Sequence, residues 1–137
     1  MSATHDDDEL IAAAGQARGC AYAPYSSFLV GCALRADGVI FHGANIENAS
    51  FGLTICAERV ACACAALAGV RDIQVVAVMT QNSPPVPPCG MCLQTLIEFS
   101  QDPRRLRVIL VNLAGERRDF TLAELLPTAF DKTQLTS

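Results

Sequence analysis

Lysine is nearly missing from this chain of 137 residues: Lys132 stands alone beside nine arginines. Charged residues of either sign make up 18%, below the ~25% of an average soluble domain. Between residues 26 and 92 the only cations are Arg35, Arg59 and Arg71. A nucleic-acid binder displaces counterions with a basic stripe and stacks bases on interleaved aromatics. Neither is present, which excludes nucleic acid as a partner. The cluster Arg104, Arg105 and Arg107 is short and reads as a solvated turn. Long apolar runs are missing too. The longest uncharged one, residues 60–70, has 11 residues, whereas a membrane-spanning helix needs about 20. The start, Met-Ser-Ala-Thr-His-Asp-Asp-Asp-Glu, has neither the basic opening nor the apolar run of a signal peptide, and so points to the cytoplasm. No repeat, linker or low-complexity block divides the chain, so residues 1–137 are expected to form a single domain.

The net charge of −4 is local, because acids and bases balance once Asp6, Asp7, Asp8 and Glu9 are set aside. Residues 1–9 are therefore expected to form a flexible acidic tail. Hydrophobic residues reach 51%, more than a small monomer comfortably hides, and burial between subunits is the natural expectation. Cysteine is abundant, with seven residues. Without a secretory signal, metal binding or catalysis explains such a count better than a disulfide framework. Cys20, Cys32, Cys62 and Cys64 lie on apolar segments without metal-like spacing and read as buried thiols.

Periodicity and turn signals predict a helix over 10–21 and strands over 28–35 and 39–44 joined at Asp37-Gly38. A polar loop follows over 45–54, then a buried, Ala- and Cys-rich helix over 57–68. Further on come a buried strand (73–80), a proline-rich loop (83–88), a helix (90–100) and a buried strand (106–113). A short strand (118–121) and a terminal helical turn (122–126) complete the order α-β-β-α-β-α-β-β-α, which implies helices packed on a mixed sheet.

Cys56 opens one predicted helix, and Cys89 and Cys92 form a CxxC at the start of another. Two helices packed side by side bring those three sulfurs together, at helix N-termini that favour thiolates. Three thiolates on a zinc ion leave one negative charge, and Arg59, one turn in, is placed to donate to the sulfurs. Three protein ligands leave the fourth zinc position open, as in catalytic sites. His5, His42 and Cys62 are poor candidates to close it. Glu58 sits in an otherwise apolar helix, where an unused carboxylate is costly, and suits general acid/base work beside a metal. Positions i and i+2 of a helix diverge by roughly 200°. Cys56 and Glu58 can therefore share a site only if Cys56 occupies the non-helical cap.

Cys56-Ala57-Glu58 with Pro88-Cys89-Gly90-Met91-Cys92 resembles the zinc-dependent cytidine deaminase superfamily. Other segments narrow the resemblance to its small homotetrameric nucleoside deaminases. These are Tyr25-Ser26-Ser27-Phe28-Leu29-Val30-Gly31, Asn45-Ile46-Glu47-Asn48-Ala49-Ser50 and Leu125-Leu126-Pro127-Thr128-Ala129-Phe130. The likeness spans about residues 21–130. It implies a three-layer α/β/α fold with a central mixed five-stranded sheet, and hydrolytic deamination of cytidine and 2′-deoxycytidine in pyrimidine salvage.

By the same resemblance Cys56, Cys89 and Cys92 bind one Zn2+ per subunit, with Arg59 behind them. Glu58 moves protons between water, ring nitrogen and departing ammonia. Asn45 and Glu47 bracket a ribose hydroxyl, Phe28 lines the pyrimidine face, and backbone near Ala57 reads the base. Ala49 and Phe130 complete pockets shared between subunits of a homotetramer. Two positions depart from the family's habit: Leu93 replaces an arginine after the CxxC, and Phe51 replaces a tyrosine. A deaminase of a modified cytosine nucleoside such as blasticidin S would lack the Asn-x-Glu-Asn pattern seen here. A non-catalytic zinc-binding interaction module would account for the cysteines but neither for Glu58 nor for the 45–50 loop.

Overall fold

The computed structural model describes the backbone of residues 3–135 and the side chains of residues 6–135. A long helix, α1 (Ala3–Arg18), precedes a hairpin of β1 (Gly31–Ala36) and β2 (Val39–Ala44). Asp37 and Gly38 turn the hairpin with φ of 52° and 77°, the pair of left-handed residues that matches the twist of adjoining strands. Helix α2 (Ala57–Leu67), β3 (Val75–Thr80), α3 (Gly90–Glu98), β4 (Arg107–Asn112), β5 (Arg117–Thr121) and the single turn α4 (Leu122–Leu125) follow. The five strands form one sheet in the order β2-β1-β3-β4-β5. Only β3 and β4 run parallel, and α3 supplies the crossover that a parallel pair requires.

Side chains alternate across this sheet. Ala33, Val75, Ala77, Met79, Ile109 and Val111 pack under Leu10, Ala13 and Ala14 of α1. Cys32, Leu34, Val76, Val78, Val108 and Leu110 face the opposite way, against α2 and α3. Covered on both faces, β3 is buried at all six positions, the reason its sequence is apolar throughout. The architecture is the three-layer α/β/α expected.

Two glycines set the spacing between layers. A Cβ on Gly43 would stand 2.3 Å from the Ala57 carbonyl oxygen and 2.4 Å from the Ala61 nitrogen. One on Gly31 would stand 2.0 Å from the Ala14 carbonyl oxygen. Their bare backbones let α2 and α1 lie directly on the sheet.

Three sequence expectations need correction. The acidic run is no flexible tail, since α1 starts at Ala3 and takes in Asp6 to Glu9; residues 1 and 2 lie outside the described part. Asp7 is only 4% exposed. It accepts hydrogen bonds from Arg107 at 2.7 and 3.1 Å and from Arg117 at 2.9 Å. Those partners lie 100 and 110 residues away, beyond any local pattern. Strand β1 begins at Gly31 rather than 28, for a reason set by Asn45 below. Among the spare cysteines, Cys32 and Cys62 are buried, but Cys20 and Cys64 are exposed. Cys20 follows the end of α1, and Cys64 sits two positions beyond Cys62, on the opposite side of α2.

The two guanidiniums, opposed by burial, hold the Asp7 carboxyl down to about 2 from its ordinary 3.8. A depressed carboxyl stabilises the fold fully above its unfolded value, and that contribution disappears as pH falls toward the folded one. Asp7→Asn is expected to cost about 2 kcal/mol at pH 7. Chemical denaturation of both proteins at pH 7 and near pH 2.5 checks this, with the difference shrinking at the lower pH.

Candidate active site

The site forms where the N-termini of α2 and α3 converge above the C-terminal end of β3. Cys56 is the N-cap of α2, with extended backbone at φ −72° and ψ 153°. Cys89 caps α3 in the same way, at φ −70° and ψ 168°. Cys92 lies one turn inside α3, buried, its sulfur 3.5 Å from that of Cys89. All three sulfurs fall within 4.8 Å of one another. A compact set of soft thiolate donors fits zinc, with the fourth position left for a non-protein ligand.

Electrostatics around the sulfurs favour ionisation of Cys56 over Cys92. A hydrogen bond from Cys92, opposed by burial and joined by Arg59 and Cys89, lowers the Cys56 thiol to about 5. Cys92, the donor in that bond and itself desolvated, is pushed up. The Arg59 guanidinium donates to Cys56 Sγ at 3.8 Å and to the Thr54 carbonyl at 3.2 Å. Arg59 thus touches the Cys56 sulfur directly.

Because Cys56 sits at the cap, Glu58 can turn toward the same space, and both residues line one cavity of about 220 Å³. Its wall also contains Phe28, Val30, Asn45, Ala57, Thr80 and Cys89. Glu58 is 5% exposed, and burial raises its carboxyl from 4.5 to about 7. A carboxylic group that exchanges its proton near neutrality, beside a metal position, is equipped for general acid/base work.

Asn45 is buried in the cavity wall and joins it to the sheet. Its Oδ1 accepts from the Val30 N–H and its Nδ2 donates to the Phe28 carbonyl, each at 2.8 Å. This side chain replaces the ladder partner that residues 28–30 would otherwise need, so the strand proper starts after them. One amide hydrogen and one lone pair of Asn45 remain for a ligand. Glu47 lies outside that cavity, in a neighbouring depression lined by Tyr25, Ser26, Phe51 and Thr54. Its carboxylate accepts from the Tyr25 and Ser26 N–H groups at 2.9 and 3.1 Å and from the Ser26 hydroxyl.

The remaining expected site residues do not meet within the chain. Ala49 and Phe130 are exposed and absent from the cavity wall. Leu93 is buried in the α2–α3 face of the core, so an apolar contact occupies the place of the family's usual arginine. Phe51 is exposed and meets Tyr25 edge-to-face, with centroids 5.8 Å apart. Val30, Thr54, Val78, Thr80, Val86 and Pro87 line the cavity without having been singled out from sequence. A strand valine that lines a site looks like one that lines a core, and only the nearby CxxC hints at the proline loop.

Fold and site together bring three cysteine sulfurs and a buried carboxylate to paired helix N-termini, a donor set suited to a metal-dependent hydrolytic centre. The family model described as cytidine and deoxycytidylate deaminase zinc-binding region matches residues 4–108, and the chain belongs to that family. It is 47% identical over 131 residues to a cytidine deaminase of Sporosarcina psychrophila, covering 95% of each chain. A cytidine deaminase of Halalkalibacterium halodurans is 50% identical over 126 residues, 91% of this chain and 94% of that one. The crystal structure of cytidine deaminase from Burkholderia pseudomallei superposes with a TM-score of 0.86 at 46% identity. It covers 95% of this chain and 100% of that one.

Metal analysis provides the test of the thiolate cluster. Wild type is expected to purify with about one zinc per chain. Cys89→Ala and Cys92→Ala are expected to retain less than a tenth of it after dialysis, while Cys64→Ala, outside the cluster, retains it all.

Proposed function

We propose that the chain is a cytidine deaminase that converts cytidine and 2′-deoxycytidine, with one water, to uridine or 2′-deoxyuridine and ammonia. The observation that carries this reading is the placement of Glu58 in one cavity wall with Cys56 and Cys89. Cys56, Cys89 and Cys92 would hold the zinc, which would supply there the Lewis acidity that lets a water lose its proton near neutral pH. Glu58 accepts that proton and delivers it to the ring nitrogen, so that the water oxygen adds to the carbon bearing the amine. It then carries the second proton to the amine, which leaves as ammonia while the ring carbonyl forms. Arg59 holds the Cys56 sulfur in place.

Phe28 packs on the pyrimidine face, and the Ala57 backbone reads the edge of the base. Asn45 and Glu47 offer their remaining hydrogen-bonding capacity to a ribose hydroxyl. Among the described residues lining the cavity there is no cation, which favours an uncharged nucleoside over a phosphorylated one. Among the described residues no helix is long and apolar enough to cross a membrane, in keeping with a role in pyrimidine salvage in the cytoplasm.

The working unit in this reading is a homotetramer with shared pockets. Tyr22, Tyr25, Ile46, Phe51, Leu53 and Ile55 are exposed, and the bridges Tyr22–Ile46 and Ile46–Ile55 draw several of them together. The outer face of α2 adds Ala63, Cys64 and Leu67, all exposed. Apolar surface of this extent marks an interaction site. Ala49 and Phe130 then reach the cavity from neighbouring copies. Sedimentation velocity is expected to give a tetramer; a monomer active at every concentration would contradict the shared pocket.

Purified, zinc-analysed protein offered cytidine, 2′-deoxycytidine, deoxycytidine monophosphate, cytosine and blasticidin S is expected to release ammonia from the two nucleosides. Turnover of neither would defeat the proposal. Glu58→Gln is expected to keep its zinc and lose about 10²- to 10⁴-fold in kcat. Undiminished turnover would remove Glu58 from the mechanism.

A further inference from the structure

Thr80 ends β3 at the floor of the cavity. It falls on the same face of the strand as Val76 and Val78, turned toward α2 and α3, and it lines the cavity with Glu58 and Cys89. The residue is 2% exposed. Its hydroxyl oxygen is buried and has no hydrogen-bond partner among the described residues. The polar side chain next to it on the sheet cannot serve. Asn112 is its register partner on β4, and the Asn112 Nδ2 already donates to the Asn82 carbonyl and to Glu116 Oε1. The Asn112 Oδ1 already accepts from the Ala114 and Glu116 N–H groups. A buried hydroxyl left without a bond is destabilising, and a valine of nearly the same shape would avoid that cost.

We infer that the Thr80 hydroxyl is a substrate-binding contact, hydrogen-bonded to the polar edge of the pyrimidine when a nucleoside fills the cavity. The inference rests on the cytidine deaminase reading. The base, rather than the sugar, is its partner, because the reacting ring must reach Glu58, which is buried in the wall of the same cavity. A hydroxyl both donates and accepts. It therefore serves an amine-bearing substrate and a carbonyl-bearing product equally.

The test uses the zinc-loaded enzyme and its Thr80→Val and Thr80→Ser variants. Calorimetry gives the Kd of uridine, steady-state kinetics give KM for cytidine and 2′-deoxycytidine, and thermal unfolding gives Tm without ligand. Thr80→Val is expected to weaken uridine binding and raise both KM values by about fivefold, the effect of one neutral hydrogen bond. Its Tm is expected to stay level or rise, since an unpaired hydroxyl has gone. Thr80→Ser is expected to bind uridine within about twofold of wild type. Unchanged uridine affinity in Thr80→Val, in an enzyme whose wild type turns over cytidine, overturns the inference and assigns the hydroxyl to a resident water. A lower Tm in Thr80→Val overturns it in favour of a structural bond, and a loss confined to one sugar overturns the assignment to the base. Should valine prevent folding, Thr80→Ala carries the same expectation for uridine Kd. A wild type inert toward both nucleosides defeats the deaminase reading instead, which separates the two failures.

Discussion

The convergence of two helix N-termini over one end of a sheet governs the rest of this molecule. Three sulfurs within 4.8 Å concentrate negative charge once ionised, and unpaired N–H groups and helix dipoles are the inexpensive way to hold it. Both capping cysteines have extended backbone, so neither side chain follows the helical path of the residues after it. The same cap turns Glu58, two residues on, toward the space the sulfurs face. One local choice of backbone conformation therefore places both a sulfur of the cluster and a buried carboxylate.

That convergence depends on close packing beneath it. Gly43 lets the first turn of α2 rest against β2 at a distance where any Cβ would strike the Ala57 carbonyl. Small residues along the inner face of α2, Ala57, Ala61 and Ala65, keep the helix low. On the far side, the salt bridges of Asp7 with Arg107 and Arg117 tie α1 to β4 and β5. These contacts touch no ligand, yet they fix the planes from which the site is built.

Asn45 illustrates how the site economises on polar groups. Half of its amide capacity is spent as a substitute strand, bonding Phe28 and Val30, in a residue that lines the cavity. The Glu47 carboxylate is held likewise, by the 25–26 backbone N–H groups and the Ser26 hydroxyl. Residues that first look like solvated loop polars thus become rigid, because each is anchored on one side before any ligand arrives. Thr80 is the opposite case, anchored on neither side.

The order and type of every strand and helix were legible in the alternation of apolar residues and in turn pairs such as Asp37-Gly38, which are local and therefore written into the sequence. So were Cys56, Cys89, Cys92 and Glu58 as candidates, because their residue types and spacing are read locally at two helix starts. What remained hidden depends on contacts distant along the chain. The buried ion pairs of Asp7 join residues 100 and 110 positions apart, so the acidic run read as a tail. Cys64 read as a buried thiol because composition cannot tell which side of α2 meets the sheet. Thr80 read as the end of a core strand, since only the assembled cavity distinguishes a floor residue from a core residue. The sequence by itself determined the chemistry available, a thiolate cluster with a carboxylate and few cations. Only the tertiary structure decided which polar groups share a cavity and which are already satisfied, because satisfaction is a property of pairs in space.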